Sequence, residues 1–211
     1  MSQLAQIFEK TFQDYLQQTL QLDLPAIAAA LDLEQTGKGV RIVLFGQPYS
    51  VSSDGIADAR GRRPSHAICV VLFKYLLMCP GQTPVGADWA PYRSFPDAAP
   101  FAGAFVTHTE APIARNFSGR LTELRAACQA LGGSDPGLDW PHQLCMRFNA
   151  LTRVPLLLLF NDKDDEFPAD CRLMFEQRAE HFLDMECLAM VGWQLSDYLA
   201  GELGIDQESL M

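Results

Sequence analysis

The stretch Gln143-Leu144-Cys145-Met146-Arg147-Phe148-Asn149-Ala150-Leu151-Thr152-Arg153-Val154-Pro155-Leu156-Leu157-Leu158-Leu159-Phe160 carries two patterns in succession. Its first half alternates. Leu144, Met146, Phe148 and Ala150 fall on one face, and Gln143, Cys145, Arg147 and Asn149 on the other, which is the period of a half-buried strand. From Val154 to Phe160 the chain is apolar without interruption, as expected of a central strand covered on both sides. Cys171 to Gln177 can return as a third strand, after a charged connection from Asn161 to Pro168. These residues predict a C-terminal β-meander.

Working outward, Leu4, Ile7, Phe8, Phe12, Tyr15, Leu16 and Leu20 recur at helical spacing, with glutamines opposite, so an amphipathic helix is expected over Gln3 to Gln21. A second helix starts at Pro25 and ends at Thr36-Gly37-Lys38-Gly39. Val40 to Phe45 and Tyr49 to Ser52 read as a hairpin around Gly46-Gln47, with Pro48 placing the second strand at an edge. Pro64 opens a helix that is apolar on every side, which buries it in the middle of the fold, and Pro80-Gly81 stops it. Pro84, Pro91, Pro96, Pro100 and Pro112 argue against regular helix from Gln82 to Ala111. Interleaved Trp89, Tyr92, Phe95, Phe101 and Phe105 pin that long loop to the body. Ala111 to Leu131 reads as helix in two pieces around Ser118-Gly119, and Leu188 to Leu203 as the last helix, ended by Gly204. The order fits an α+β fold: an antiparallel or mixed sheet with a hairpin and a C-terminal meander, packed against a buried central helix and terminal helices. No repeat or composition break divides the 211 residues, so one domain is expected.

Lys and Arg total 16 against 26 Asp and Glu, a net charge of −10. Hydrophobic residues are 48% and charged residues 20%, the balance of a globular chain rather than a disordered one. The acidic excess argues against a nucleic-acid partner, which calls for a basic footprint. Met1 to Leu24 has no basic start followed by an apolar run, so it does not read as a secretory signal. Pro64 to Cys79, the longest nearly uncharged apolar stretch, is broken by His66 and Lys74 and falls short of the about 20 residues that span a bilayer. The expectation is a cytoplasmic protein without membrane partner. Cys69, Cys79, Cys128, Cys145, Cys171 and Cys187 are scattered with no Cys-x-x-Cys pair. They read as small core residues in a reducing compartment, the alternative being a metal set assembled from distant segments.

Three groups of residues are candidate sites. Arg60, Arg62, Arg63 and His66 crowd positive charge at the start of the central helix, whose N-terminus is itself positive, and that arrangement asks for an anionic ligand. The plain alternative is that the arginines face water or pair with acidic side chains such as those of the Asp162 to Glu166 loop. Asp162, Asp164, Asp165 and Glu166 could hold Mg²⁺ or Ca²⁺, or divide acid–base work between them, although no EF-hand pattern is present; a solvated loop tip is the simpler account. Trp89, Tyr92 and Arg93 can wall a pocket for a planar anion, or merely pin the proline-rich loop. There is no nucleophile elbow, phosphate loop, dinucleotide fingerprint or zinc-binding histidine pair.

Several stretches carry a resemblance: Val40 to Val51, Ile68 to Leu77, Asp88-Trp89-Ala90-Pro91-Tyr92-Arg93-Ser94-Phe95-Pro96, Met146 to Leu151, Arg153 to Leu159, Asp164 to Ala169, and His181-Phe182-Leu183. Together they resemble a bacterial and archaeal family of domains of unknown function, found largely in anaerobes. Some of its members are fused to an iron–sulfur cluster module. The resemblance implies an intact family-like core over 35–203, with helices in 1–34 before it. It carries over no cluster, because the module's grouped cysteines are missing here, and no reaction. The expected function is a non-catalytic accessory or ligand-binding domain for a small anionic molecule held by Arg62, Arg63 and Arg93. The alternatives are a divalent-metal enzyme using the 162–166 loop, and an interaction protein whose apolar helices form a homodimer.

Overall fold

The computed structural model describes residues 3–82 and 84–204, the side chain of Leu4 excepted. Helices α1 (Gln3–Thr19) and α2 (Leu24–Leu31) open the chain. The Asp23 carboxylate accepts the Ala26 N–H, and Pro25 stands in the first turn, so α2 begins where its free amides are answered. It ends earlier than the glycines at 37 and 39 suggest. Asp32 takes a left-handed conformation (φ 57°) and closes the helix, and Glu34–Thr36 is already a short strand, β1.

Three more strands complete a first antiparallel sheet: β2 (Gly39–Leu44), β3 (Gln47–Ser52) and β4 (Gly55–Asp58), in the order β1-β2-β3-β4. The β2–β3 turn consists of Phe45 and Gly46, both left-handed (φ 46° and 76°), as the twist of a two-residue hairpin requires. β3 is an interior strand, contrary to what Pro48 suggests. The proline is tolerated because β4 pairs only with Tyr49–Ser52 and stops short of it.

The central helix α3 (His66–Leu77) is capped by the Ser65 hydroxyl and buries Leu72, Phe73, Tyr75 and Leu76 completely, between α1 on one side and the last helix on the other. The proline-rich stretch holds more regular structure than its composition predicts. It forms β5 (Trp89–Pro91), a 3-10 turn (Tyr92–Ser94), α4 (Ala99–Phe105), a π-helical turn (Val106–Glu110) and α5 (Ala111–Phe117). Pro100 sits in the first turn of α4, where no N–H is needed, so it starts a helix rather than breaking one, and Pro112 lies where the helical run passes from the π turn into α5. Pro112 also has no N–H for the carbonyl one α-turn back. The wider π turn, closed by the Ala111 N–H on the Val106 carbonyl, absorbs that mismatch.

α6 (Leu121–Ala130) follows the expected break at Ser118–Gly119. The meander is then β6 (Leu144–Leu151), β7 (Val154–Asn161) and β8 (Asp170–Glu176), before α7 (Met185–Glu202). β7 is buried from Val154 to Phe160, as its unbroken apolar run requires. β5 adds to the outer edge of β8, giving a second antiparallel sheet in the order β5-β8-β7-β6. The sheet read from the sequence is thus two sheets in an α+β fold. They meet at the hairpin tip, where the Phe45 N–H donates to the Ala150 carbonyl (3.0 Å) and the Phe45 ring packs edge-on against Phe148 and Tyr198. One hydrophobic cluster runs through both sheets, from Phe12 to Leu199. Among the described residues no helix is long and apolar enough to cross a membrane.

The α4–α5 arm approaches α7 most closely at a glycine, Gly192. A Cβ on Gly192 would lie 2.5 Å from Phe105 Cε2, and Phe105 is itself stacked on Tyr92 (centroids 4.2 Å apart). The buried Phe105 ring therefore has no room to yield. Gly192→Ala should destabilise the protein by about 1–3 kcal/mol, measured by urea unfolding, despite the better helix propensity of alanine. An unchanged or higher midpoint would refute this packing argument.

Candidate functional site

In the first set of predicted residues, Arg62 and Arg63 have their counter-charges built in. Asp58 organises the turn after β4: its Oδ1 accepts the N–H groups of Arg60 (2.9 Å) and Arg62 (2.8 Å), and its Oδ2 receives the Arg62 guanidinium (3.1 Å). The Arg62 amide, and with it the Arg60 amide and the guanidinium, hold the Asp58 carboxyl below its ordinary range. Arg63 donates to Glu9 of α1 (2.7 Å) and lies 3.3 Å above the Phe12 ring. His66 stacks on Phe8 (4.0 Å), and burial, with Arg63 nearby, lowers its pKa and favours the neutral ring. These four residues join α1, β4 and α3.

The acidic connection is similarly occupied. Asp162 Oδ1 accepts the N–H groups of Gly119 (2.6 Å) and Lys163 (2.8 Å). Asp164 Oδ1 accepts those of Glu166 (2.8 Å) and Phe167 (2.7 Å), which hold its carboxyl below the usual range. Two of the four predicted ligands therefore cap backbone turns, while Asp165 and Glu166 are exposed. Among the described residues no three His, Cys, Asp or Glu side chains are grouped to hold a metal, and the six cysteines are free thiols.

The third set divides. Trp89 lies in β5 opposite Glu176. Tyr92 is buried, its hydroxyl donating to the Met185 carbonyl (2.6 Å) and its ring on Phe105, so it anchors the loop. Arg93, beside it, is exposed and lines a cleft of about 750 Å³ between the π turn with α5 and the start of β8. That volume falls within the about 300–1,000 Å³ typical of small-molecule sites.

One wall of the cleft is a row at four-residue spacing: Val106, Glu110, Ala114 and Ser118, with Arg115 beside it. The other is the first part of β8, from Asp170 to Arg172, preceded by Pro168 and Ala169. Arg93, Arg115 and Arg172 thus converge on one cavity in an acidic chain. Arg172 pairs loosely with Asp170 (3.5 Å), and neither Arg93 nor Arg115 has an ion-pair partner among the described residues.

Glu110 explains why the cleft exists. The Gln177 N–H donates to the Asp88 carbonyl (2.9 Å), so odd-numbered residues here turn their backbone groups towards β5. β5 pairs only with Met174 to Glu176 and ends. Leu173 is the first odd residue past that end, and its buried N–H donates to Glu110 Oε1 (3.0 Å). A side chain on a π turn thereby stands in for a missing strand. Glu110 is 8% exposed. Burial raises its pKa, against the lowering influence of the Leu173 N–H and of Arg172 and Arg93. Cys171, also on the wall, is held as a thiol by burial and by the neighbouring Glu110.

Of the cleft's charged groups, only Arg93 is among the residues singled out from the sequence. Glu110 leaves one trace: it is the only Asp, Glu, Lys or Arg between Asp97 and Arg115, and a lone acid among apolar helical residues is a candidate for burial. Arg115 and Arg172 are ordinary surface arginines until the fold brings them together.

Removing the acceptor should strand the amide. Glu110→Ala is expected to cost about 1–3 kcal/mol, whereas Glu110→Gln, which keeps a carbonyl oxygen for Leu173, should cost less. The raised pKa means that the folded chain holds this proton more tightly than the unfolded chain. The wild type therefore loses stability, relative to Glu110→Gln, as pH rises from the ordinary value of 4.5 through the elevated one. Urea unfolding at several pH values checks both; equal costs for Ala and Gln, or a flat difference with pH, would contradict the assignment.

No curated protein and no solved structure matches the chain. The sequence model of one family matches residues 23–198, from the cap of α2 to α7, and covers every strand and every wall of the cleft. The chain belongs to that family, described as Domain of unknown function (DUF3786).

Proposed function

We propose that the protein is a non-catalytic binding domain for a small anionic molecule, held in the cleft by Arg93, Arg115 and Arg172. The observation that carries this reading is the convergence of three guanidinium groups, two of them without an ion-pair partner among the described residues, in a chain of net charge −10. Cations facing each other across a cavity repel at modest effective dielectric, and a bound anion relieves that repulsion. Guanidinium forks suit carboxylate and phosphate oxygens. The apolar positions Val106, Ala111, Ala114 and Pro168 leave room for a short carbon skeleton beside the charge. The masked Cys171 thiol and the absence of a His–Cys or His–Ser pair on the cleft walls favour binding over covalent chemistry. Arg62 and Arg63, expected at the outset to share in the site, are assigned to the α1–β4–α3 junction, where Asp58 and Glu9 answer them, while Arg60 gives Asp58 only its backbone N–H.

Calorimetric titration with a panel of small carboxylates and phosphates tests the proposal. Arg115→Ala and Arg172→Ala should each weaken binding about tenfold or more, the size of one charge-assisted hydrogen bond. Arg62→Ala should leave it unchanged, and added salt should weaken it. Anion binding that is absent, or that falls equally with Arg62→Ala, would defeat the assignment.

A further inference from the structure

The cleft contains a feature that a simple anion trap would lack. Glu110 is more than nine-tenths buried, lines the cavity, and uses one carboxyl oxygen to accept the Leu173 N–H. It makes no other hydrogen bond among the described residues, and its second oxygen is not sealed in the core. Facing it are Asp170, Cys171 and Arg172 of β8 and Arg93 of the turn after β5. α5 contributes Arg115 to the same cavity. α4 has no titratable side chain, and α7 meets the π turn through Trp193 against His108. A carboxylate offers lone pairs and no proton. An anion drawn in by the arginines would therefore set acceptor against acceptor at Glu110, unless it brought a proton of its own.

We propose that Glu110 is the specificity-determining residue of the cleft, selecting anions that carry a hydrogen-bond donor beside their charge, such as a hydrogenphosphate or a 2-hydroxy acid, over anions made of acceptors alone. This rests on the anion-binding reading above and adds the ligand class to it. The arginines supply attraction that is blind to the difference. Glu110 supplies the discrimination, because an acceptor-only ligand leaves two desolvated oxygens opposed with nothing between them. Sites that hydrogen-bond a ligand's own donor reject the analogue lacking it far more strongly than apolar sites reject a change of shape.

The experiment is calorimetric titration of the full chain with two matched pairs of probes, phosphate against sulfate and lactate against propionate. The second pair holds charge constant. At neutral pH the donor-bearing member of each pair should bind about tenfold tighter or better. Glu110→Gln, whose amide can donate while its oxygen still serves Leu173, should bring each pair within about threefold. A single cooperative thermal transition of that variant would show that the fold is retained. Equal affinities within both pairs, with binding still dependent on Arg115 and Arg172, would overturn the selection rule and leave the anion site standing. No binding of any of the four probes, with the arginine variants indistinguishable from wild type, would overturn the site and the rule together.

Discussion

A buried backbone amide must be answered, and at Leu173 the strand that should answer it has already ended. Glu110 does so instead, and much of the local architecture follows from that bond. A carboxyl can reach the edge of β8 only if α5 and the π turn lie against the strand where β5 leaves off. The space between them is the cleft. A longer β5 would satisfy the same amide and fill the cavity with backbone. The short strand, the widened helical turn after α4 and the acidic side chain are one solution to one hydrogen-bonding requirement. The same solution leaves a carboxyl among arginines, where electrostatics becomes chemistry.

Positive charge takes two forms in this molecule. Around Asp58 and Glu9 the arginines are joined to carboxylates on neighbouring segments and tie α1 to the entrance of α3. Along the cleft Arg93, on a 3-10 turn, and Arg115, at the end of α5, have no ion-pair partner among the described residues, and Arg172 of β8 has only Asp170 at 3.5 Å. Proximity to a helix N-terminus does not separate the two cases, since the first set has that and is internally neutralised.

The elements with strong periodicity were legible from the residues. The alternation in β6 and the apolar run in β7 predict their partners, and the all-round apolar α3 predicts its central burial. The proline-rich stretch misled because Pro100 and Pro112 were weighed as breakers, whereas Pro100 opens α4 and Pro112 is accommodated by the π turn before it. Pro48 misled because an interior strand has free stretches wherever its neighbour is shorter. The division into two sheets was not legible, because pairing of β5 with β8 is a long-range fact that no local pattern encodes. For the same reason Arg93 could be suspected from its aromatic surroundings, while Arg115 and Arg172 had nothing local to mark them.

The long-range pairing also has a consequence in time. The first sheet is a run of neighbouring hairpins that a nascent chain can complete soon after its first third has left the ribosome. The second sheet cannot close until β8 has been synthesised, since Trp89 must wait for Glu176. Closing so large a loop is slow in entropic terms. The pocket is therefore among the last parts of the molecule to form, because the wall that carries Arg172 and the amide that orients Glu110 arrive only with β8.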